Sequence, residues 1–574
     1  MSITKSRIRF ITMLIALCIS IPLFIPVSGA AYTPPFQTLR IGLYYGTNAL
    51  TSANLQNVSG LGSGYEFGYF DADRNFVSIG AGTDESRISM LMDRNMVWNP
   101  GDGDNAGEYR EGTKGDIVVG CFHIQLNSGY DTYAEAKAEA NRYKNSFVRY
   151  ESERFLALVG RYTTRNAANE ALSSLGLSEA TVNAGTSKTI AVTKTGTNTI
   201  LFEFDMDATP LGIMPKASNG KKSETWFKGL RYNGGFIYSR RDGELITVAN
   251  MVDIEDYVKG ILPNEMNNAW PMEALKAQAC CARTYALATV NRHNSSNGFD
   301  LCVTEHCQVY RGRVLTNERT DQAVEETLGM YITYENKLCE TYYASSNGGA
   351  SENVENVWNV PLPYLRGVID PYEADISSTV PKYRWTLTYT QSQITERLRG
   401  RGYNCAKIVS MVATQLTPTG NVLTLVMTDS NGKKWQFSKR SEIMTALGVP
   451  TMRFSIGGGE VEPGSIYFGN PPEPVSPGSR IYMIGKDGVT TAVSVDSIFA
   501  INSDTSVTPV EGEDETANST ASTTGLVDGV FTIRGTGNGH QVGMSQWGAY
   551  SMALYHNKTY VDIINFYFTG VDIG

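Results

Sequence analysis

The sequence predicts an α+β fold, a mixed and β-rich main domain that carries an inserted ferredoxin-like (βαβ-βαβ) module. Three observations lead there. Segments before residue 70, and again from Thr189 to Val252, alternate apolar and polar residues with glycine punctuation, the mark of half-buried strands. Between Gly115 and about Thr193 the pattern switches to strand, helix, strand, and then repeats. At 574 residues the chain also exceeds one simple core, since domains run to about 100 to 200 residues.

The chain opens with Lys5, Arg7 and Arg9 ahead of an apolar run from Phe10 to Val27, followed by Ser28, Gly29 and Ala30. This reads as an export signal. The run also approaches the roughly 20 apolar residues of a membrane span, so retention as an anchor stays open. Leu17 precedes Cys18 where a lipoprotein signal wants a small residue, which argues against lipidation. Residues 1–30 are therefore a signal peptide or anchor of a protein exported across the cytoplasmic membrane.

Residues 38–114 form a first β-rich part, with "TLRIGLYYGTNAL" and "GYEFGYFD" as strands. The module at 115–193 comprises the strand "DIVVGCFHIQLN", the helix "TYAEAKAEANRYK", the strand pair "SFVRYESERFLALVGRY" and the helix "TTRNAANEALSSLG". The main domain resumes at 194–574. It is interrupted at 457–528 by Gly/Pro-rich and polar low-complexity text around a small β segment, "RIYMIGKDGVTTAVSVDSIFAIN".

A net charge of -9 and a pI near 5.3 argue against nucleic acid as a partner, because phosphate binding needs a basic surface. An acidic exported protein suits a carbohydrate or wall partner better. The cysteines beyond Cys18 are irregularly spaced and form no disulfide framework.

Chemistry concentrates in "GILPNEMNNAWPMEALKAQACCARTYAL". "DIEDYVKGIL" is an amphipathic helix that Pro263 is expected to end, leaving Asn264, Glu265 and Met266 on a turn. Pro271 then opens an Ala-rich central helix on which Lys276, Cys280 and Arg283 share a face. Two cations on a buried helix need acidic or ligand partners. A lone Glu on a loop is ordinarily a solvated charge; here the context is specific.

The string from Tyr257 to Leu287 resembles the signature of the stage II sporulation protein D (SpoIID) family. "HCQVYRG", "YYASSNGGASENVENVW", "PYLRGVID" and "GNGHQVGMSQWGAYSMA" follow in the family's order. The resemblance spans most of residues 187–570 and extends to 38–70. It implies a peptidoglycan lytic transglycosylase that cleaves the MurNAc-GlcNAc bond of glycan strands, as in spore engulfment. Glu265 would be the acid/base, supported by Lys276, Arg283 and His306. The family also includes amidase enhancers, so a non-catalytic regulator working with a cell-wall amidase is the competing reading. The module at 115–193, with phrases such as "VGRYTTRNAANEAL", resembles the SPOR domain, which binds glycan strands stripped of stem peptides. An unrelated small α/β insertion is the alternative.

One carboxylate suffices for this chemistry. Ordinary glycosidases need two. A transglycosylase lets the muramic acid C6 hydroxyl attack its own anomeric carbon, so a single acid that later acts as base is enough. Its pKa must be raised, which Met266 and Trp270 would favour and Lys276 and Arg283 would oppose.

"RHNSSNGFDLCVTEHCQVYRG" gathers His293, Cys302, His306 and Cys307. A Cys302 to Cys307 disulfide, inert thiols and a zinc site are all open readings. Resemblance to zinc-holding SpoIID relatives points to His293, Cys302 and Cys307 as ligands of a structural zinc, with an open fourth position and His306 left to face glycan. Hydrolysis driven by that metal is a further alternative. No organic cofactor is implied. Gln308, Ser345, Ser346, Asn347, Tyr364, His540, Ser545 and Gln546 are candidate saccharide-binding residues. For the glycine-rich loop around His540, close packing is the equal alternative. No G-x-S-x-G elbow is present, which excludes a serine triad of that type.

Overall fold

The computed structural model describes residues 32–101, 107–126, 129–206, 209–241, 245–457 and 525–574, together with four short strands between 480 and 509. The expected export segment and most of the 457–528 linker lie outside these residues. Within the linker, Arg480–Ile484 pairs with Thr490–Ser494, and Phe499–Ile501 with Val507–Pro509.

The molecule is mixed α+β. A seven-stranded sheet runs in the order 301–302, 38–44, 246–253, 235–240, 211–217, 62–70 and 76–83. Strand pairing is antiparallel except at the edge, where Leu301–Cys302 joins Thr38–Tyr44 in parallel. Thr38–Tyr44 thereby carries the loop that holds Cys302. Asp300 reinforces the junction: its carboxylate accepts from the Arg40 amide at 2.8 Å and pairs with Arg40 at 2.9 Å and Arg74 at 2.8 Å.

The residues of the doubled unit form Phe122–Gln125, helix Tyr133–Ala140, Ser146–Glu151, Arg154–Tyr162, helix Arg165–Leu175 and Thr181–Ala184. Thr132 and Thr164 cap the two helices by accepting from the third helical amide, Glu135 and Ala167. Numbered within the unit, the strands lie in the order fourth, first, third, second, every neighbour antiparallel. Their sheet does not close on itself. Val148–Glu151 pairs in parallel with Phe202–Asp205, so the unit's four strands continue into a ten-stranded sheet with 200–205, 190–194, 87–92, 52–57, 225–227 and 230–232.

The charges at that seam are buried. His123 Nε2 lies 3.2 Å from Glu203 Oε1 and 3.9 Å from Asp93 Oδ1, and Arg149 reaches Glu203 Oε2 at 2.7 Å. Arg149 also donates to Asn183 Oδ1 at 2.8 Å.

The helix Met272–Ala288 runs through the main core, its residues from Ala274 to Leu287 buried apart from Lys276. The helices Ile254–Glu265, Glu318–Glu325, Gln546–Tyr555 and Tyr560–Tyr567 pack on it. A second core, outside the sequence reading, is built by strands 384–390, 408–416, 422–429, 434–437, 454–456 and 530–536 with helices Gln391–Arg399 and Arg440–Leu447. Glu352 joins it to the first: its buried carboxylate accepts from Thr417 at 2.7 Å, Thr419 at 3.2 Å and Asn421 at 2.7 Å.

Candidate active site

Glu265 stands at the end of a helix, which corrects the expected turn. The helix Ile254–Glu265 continues through Pro263 and stops at Met266, whose backbone is extended and whose amide still reaches Leu262 O at 2.9 Å. Pro263 removes one amide hydrogen bond, but it sits in the last turn of a helix already held elsewhere. Asp253 caps the other end, and Ile254, Tyr257, Val258, Ile261 and Leu262 are fully buried. At Gly260 a Cβ would meet the Tyr310 ring at 2.5 Å and Gly312 O at 2.9 Å. The missing side chain lets the 306–312 segment lie against the helix and brings the Val309 amide to the Glu265 carboxylate.

The other wall is a pair of loops. Tyr343–Ala344 pairs in parallel with Met544–Ser545, and Ser346 exchanges backbone hydrogen bonds with Asn538. Gly537 and Gly348 adopt positive φ, and a Cβ on either would come within 2.7 Å of the facing backbone. Close packing is thus what those glycines serve, and the packing sets His540 and Gln546 on the cleft.

The resulting cleft holds about 730 Å³ and is lined by Glu265, His306, Gln308, Ser345, His540 and Gln546 among the predicted residues. Arg292, Glu305, Tyr285, Tyr342, Tyr343 and Trp358 complete most of the wall. Burial raises the Glu265 carboxyl above its ordinary value; hydrogen bonds from the Val309 amide, Gln546 and Tyr343 oppose the shift, and Glu305 adds to it. Gln546 Nε2 lies 3.4 Å from Glu265 Oε2. Met266 is buried beside the site, whereas Trp270 packs against Trp547 and Tyr550, with centroids at 4.6 and 5.1 Å, outside the cleft wall.

Several predicted residues are committed elsewhere. Arg283 is fully buried and forks onto Glu255, Nε to Oε1 at 2.8 Å and Nη2 to Oε2 at 2.7 Å, with further bonds to the carbonyls of Val324 and Met330. Lys276 pairs with Glu273 at 2.9 Å and Glu326 at 2.7 Å. Neither lines the cleft, so their expected support of Glu265 is indirect: Arg283 grips the first turn of the helix that ends in Glu265. Arg283→Gln is expected to lose about 3 to 5 kcal/mol of folding stability, because it strands a largely desolvated Glu255, and denaturant melts measure this.

Ser346, Asn347 and Ser545 also turn inward. Glu373, buried, accepts from the Ser346 hydroxyl, from the Asn347 amide at 2.9 Å and from Ser545 Oγ at 2.6 Å, while Asp370 accepts from Asn347 Nδ2 at 2.7 Å and Tyr567 at 2.6 Å. Burial, with Asp370 adding to it, pushes Glu373 up to about 7. Tyr364 is buried and accepts from the Glu340 amide at 3.0 Å. Gln308 borders the cleft but spends its amide on Ala282 O, Tyr343 and Tyr257. It therefore wires the wall together and has little left to offer a sugar.

Burial lowers the His540 imidazole to about 4, helped by Arg440, so the ring is neutral near pH 7. Its Nδ1 accepts from the Val542 amide at 3.1 Å, and a hydrogen bond to the Tyr343 backbone works against the downward shift.

At the edge of the cleft, which His306 and Cys307 line, His293, Cys302, His306 and Cys307 bring one donor atom each within 4.8 Å of one another. Neither cysteine is joined in a disulfide in this structure. Cys307 Sγ lies 3.4 Å from His293 Nε2 and 3.6 Å from His306 Nδ1, and Cys302 Sγ 3.8 Å from His306 Nδ1. A tetrahedral zinc with ordinary Zn–S and Zn–N bonds requires S···N separations of about 3.6 Å, so this donor set fits. His306 both lines the cleft and brings its Nδ1 into this donor set, so it could fill the expected open fourth position. A closed set of four ligands suits a structural metal better than a hydrolytic one.

Residues 242–334, containing Glu265 and this donor cluster, match the family model described as Stage II sporulation protein. An uncharacterized protein of Brachyspira hyodysenteriae is 30% identical over 60% of this chain and 73% of its own length. The Stage II sporulation protein D of Bacillus amyloliquefaciens is 27% identical over 56% of this chain and 74% of its own. The amidase enhancer of Bacillus subtilis is 28% identical over 55% of this chain, a match that covers 40% of that protein. With the family model falling on the helix that ends in Glu265, and with the Brachyspira protein and the Stage II sporulation protein D aligned over about three quarters of their own lengths, the chain belongs to the SpoIID family.

Proposed function

We propose that the protein is an exported, peptidoglycan-cleaving lytic transglycosylase that acts on stem-peptide-free glycan strands in cell-wall remodelling of the kind carried out in sporulation. The observation that carries this is Glu265, a carboxyl whose pKa is raised by burial, which forms no ion pair with a described residue and opens onto a cleft of about 730 Å³. Protonated, it donates to the glycosidic oxygen as the bond from the MurNAc anomeric carbon breaks and GlcNAc leaves. The ionised carboxylate then takes the proton from the MurNAc C6 hydroxyl as its oxygen bonds to the anomeric carbon, giving a 1,6-anhydro end. Protons balance, and no water enters. Tyr343, Gln546 and the Val309 amide orient the carboxylate, and His540 borders the same cleft as a neutral imidazole.

The 115–193 unit is read as a ferredoxin-like, SPOR-like module that presents glycan strands to this cleft. The residues His293, Cys302, His306 and Cys307 would hold zinc, which when bound braces the loop carrying Val309. Metal analysis is expected to find one zinc per chain, and Cys302→Ser is expected to lose it together with several kcal/mol of stability; full retention of metal would reject the site.

Similarity to the amidase enhancer supports a second reading, a non-catalytic partner of a wall amidase. Incubating the purified protein with peptide-free strands, alone and with an added amidase, separates the two. New 1,6-anhydro ends from the protein alone support the transglycosylase. A gain seen only with the amidase, and untouched by Glu265→Gln, supports the enhancer.

A further inference from the structure

Arg292 lines the same cleft as Glu265 and is the one Lys or Arg side chain doing so among the described residues. Its setting differs from that of Lys276 and Arg283, which are saturated by carboxylates. Arg292 makes no salt bridge to a described residue. Its guanidinium lies 5.7 Å from the Tyr285 ring centroid, and Nη1 alone is used, donating to Tyr285 Oη at 2.9 Å and His306 O at 3.3 Å. Nε and Nη2 are left without a hydrogen bond to a described residue. A guanidinium steadied on one side and open on the other presents a fork that matches a carboxylate.

The segment from His306 to Val309 ties this fork to the catalytic carboxyl. Its first carbonyl accepts from Arg292 and its last amide donates to Glu265. Three residue steps span at most about 10 Å, which keeps both groups within reach of neighbouring parts of one bound saccharide. The cleft's other charged lining residues are the carboxyl groups Glu265 and Glu305, so among the described residues Arg292 is its one cationic side chain.

We infer that Arg292 is a specificity-determining residue that binds the free lactyl carboxylate of a MurNAc residue, so that the cleft selects strands whose stem peptide has been removed. The inference rests on the transglycosylase reading for its substrate. The distinction is one of charge. On a strand with its stem peptide the lactyl group is a neutral amide with a bulky extension; once the peptide is cut away it is a carboxylate. Loss of a charge-assisted pair in a partly desolvated site corresponds to about 10- to 100-fold in affinity.

The test compares peptide-free strands carrying free lactyl carboxylates with the same strands after methylamidation. Binding is measured to Glu265→Gln protein with and without R292Q or R292K, and cleavage to the full chain with Glu265 intact. The Glu265→Gln protein is expected to bind carboxylate strands about tenfold or more tighter than amidated ones. R292Q should bring that ratio to near one, and R292K should restore part of it. An unchanged ratio in R292Q, or an equal loss on both strands, would overturn the assignment. Thermal midpoints matching the parent exclude misfolding as the cause. If strands bind with the expected ratio but no anhydro ends form when Glu265 is intact, the transglycosylase reading fails while the anion site stands.

Discussion

Replacing Glu265 by Gln is expected to lower the release of anhydro ends by about 10²- to 10⁴-fold, the range of a general acid/base, while leaving the thermal midpoint close to that of the parent. Gln keeps the size of the side chain and its acceptor oxygen toward the Val309 amide, and the site loses only a carboxyl that burial already disfavours as a charge. The pH profile follows from the same burial. Because the raised pKa keeps the acid protonated further up the pH scale, turnover should fall as pH rises through a value above the ordinary 4.5 of a glutamic acid. Burial is the largest cause of that shift. Opening the site by truncating a neighbour should therefore move the alkaline limb downward.

The second large effect lies far from the cleft, where the doubled unit meets the main sheet. Glu203→Gln leaves Arg149 and His123 buried without their shared counter-charge and is expected to cost about 3 to 5 kcal/mol of stability. Burial alone would lower His123, but the charges of Glu203 and Asp93 outweigh it and hold the imidazole up at about 9, against an ordinary 6.5. Burial would likewise raise Glu203, but His123 and Arg149 outweigh it and draw the carboxyl down to about 2, against 4.5. The His123 contribution is then complete below its ordinary value and disappears as pH rises through about 9. The Glu203 contribution is complete above its ordinary value and disappears as pH falls through about 2. Urea midpoints measured against pH should show a plateau between the two ordinary values, and the alkaline decline should shrink in Glu203→Gln.

What could be read from the sequence was local. The helix leading to Glu265, the Thr-capped helices of the doubled unit and the gathering of His293, Cys302, His306 and Cys307 follow from periodicity, capping chemistry and short spacing. What could not be read depended on distant partners. Lys276 and Arg283 look like cleft cations until Glu326 and Glu255 arrive from other helices. Ser346, Asn347 and Ser545 look like sugar binders until Glu373 and Asp370 claim them; the Asp370-Pro371 pair, a helix-start signal, was the available hint that this acidic segment is ordered. The seam between Val148–Glu151 and Phe202–Asp205 is a pairing across some fifty residues, invisible to any local pattern. Arg292, beside His293, carries no signal in the sequence, because an exposed arginine follows no periodic pattern.

Whether water takes part in the cleavage proposed for Glu265 is read from the mass of the new chain ends after peptide-free strands are digested in heavy-oxygen water. Unlabelled 1,6-anhydroMurNAc ends, one water lighter than reducing ends and absent with Glu265→Gln, are expected. Reducing ends carrying the heavy oxygen, or anhydro ends formed at an undiminished rate by Glu265→Gln, would contradict the proposal.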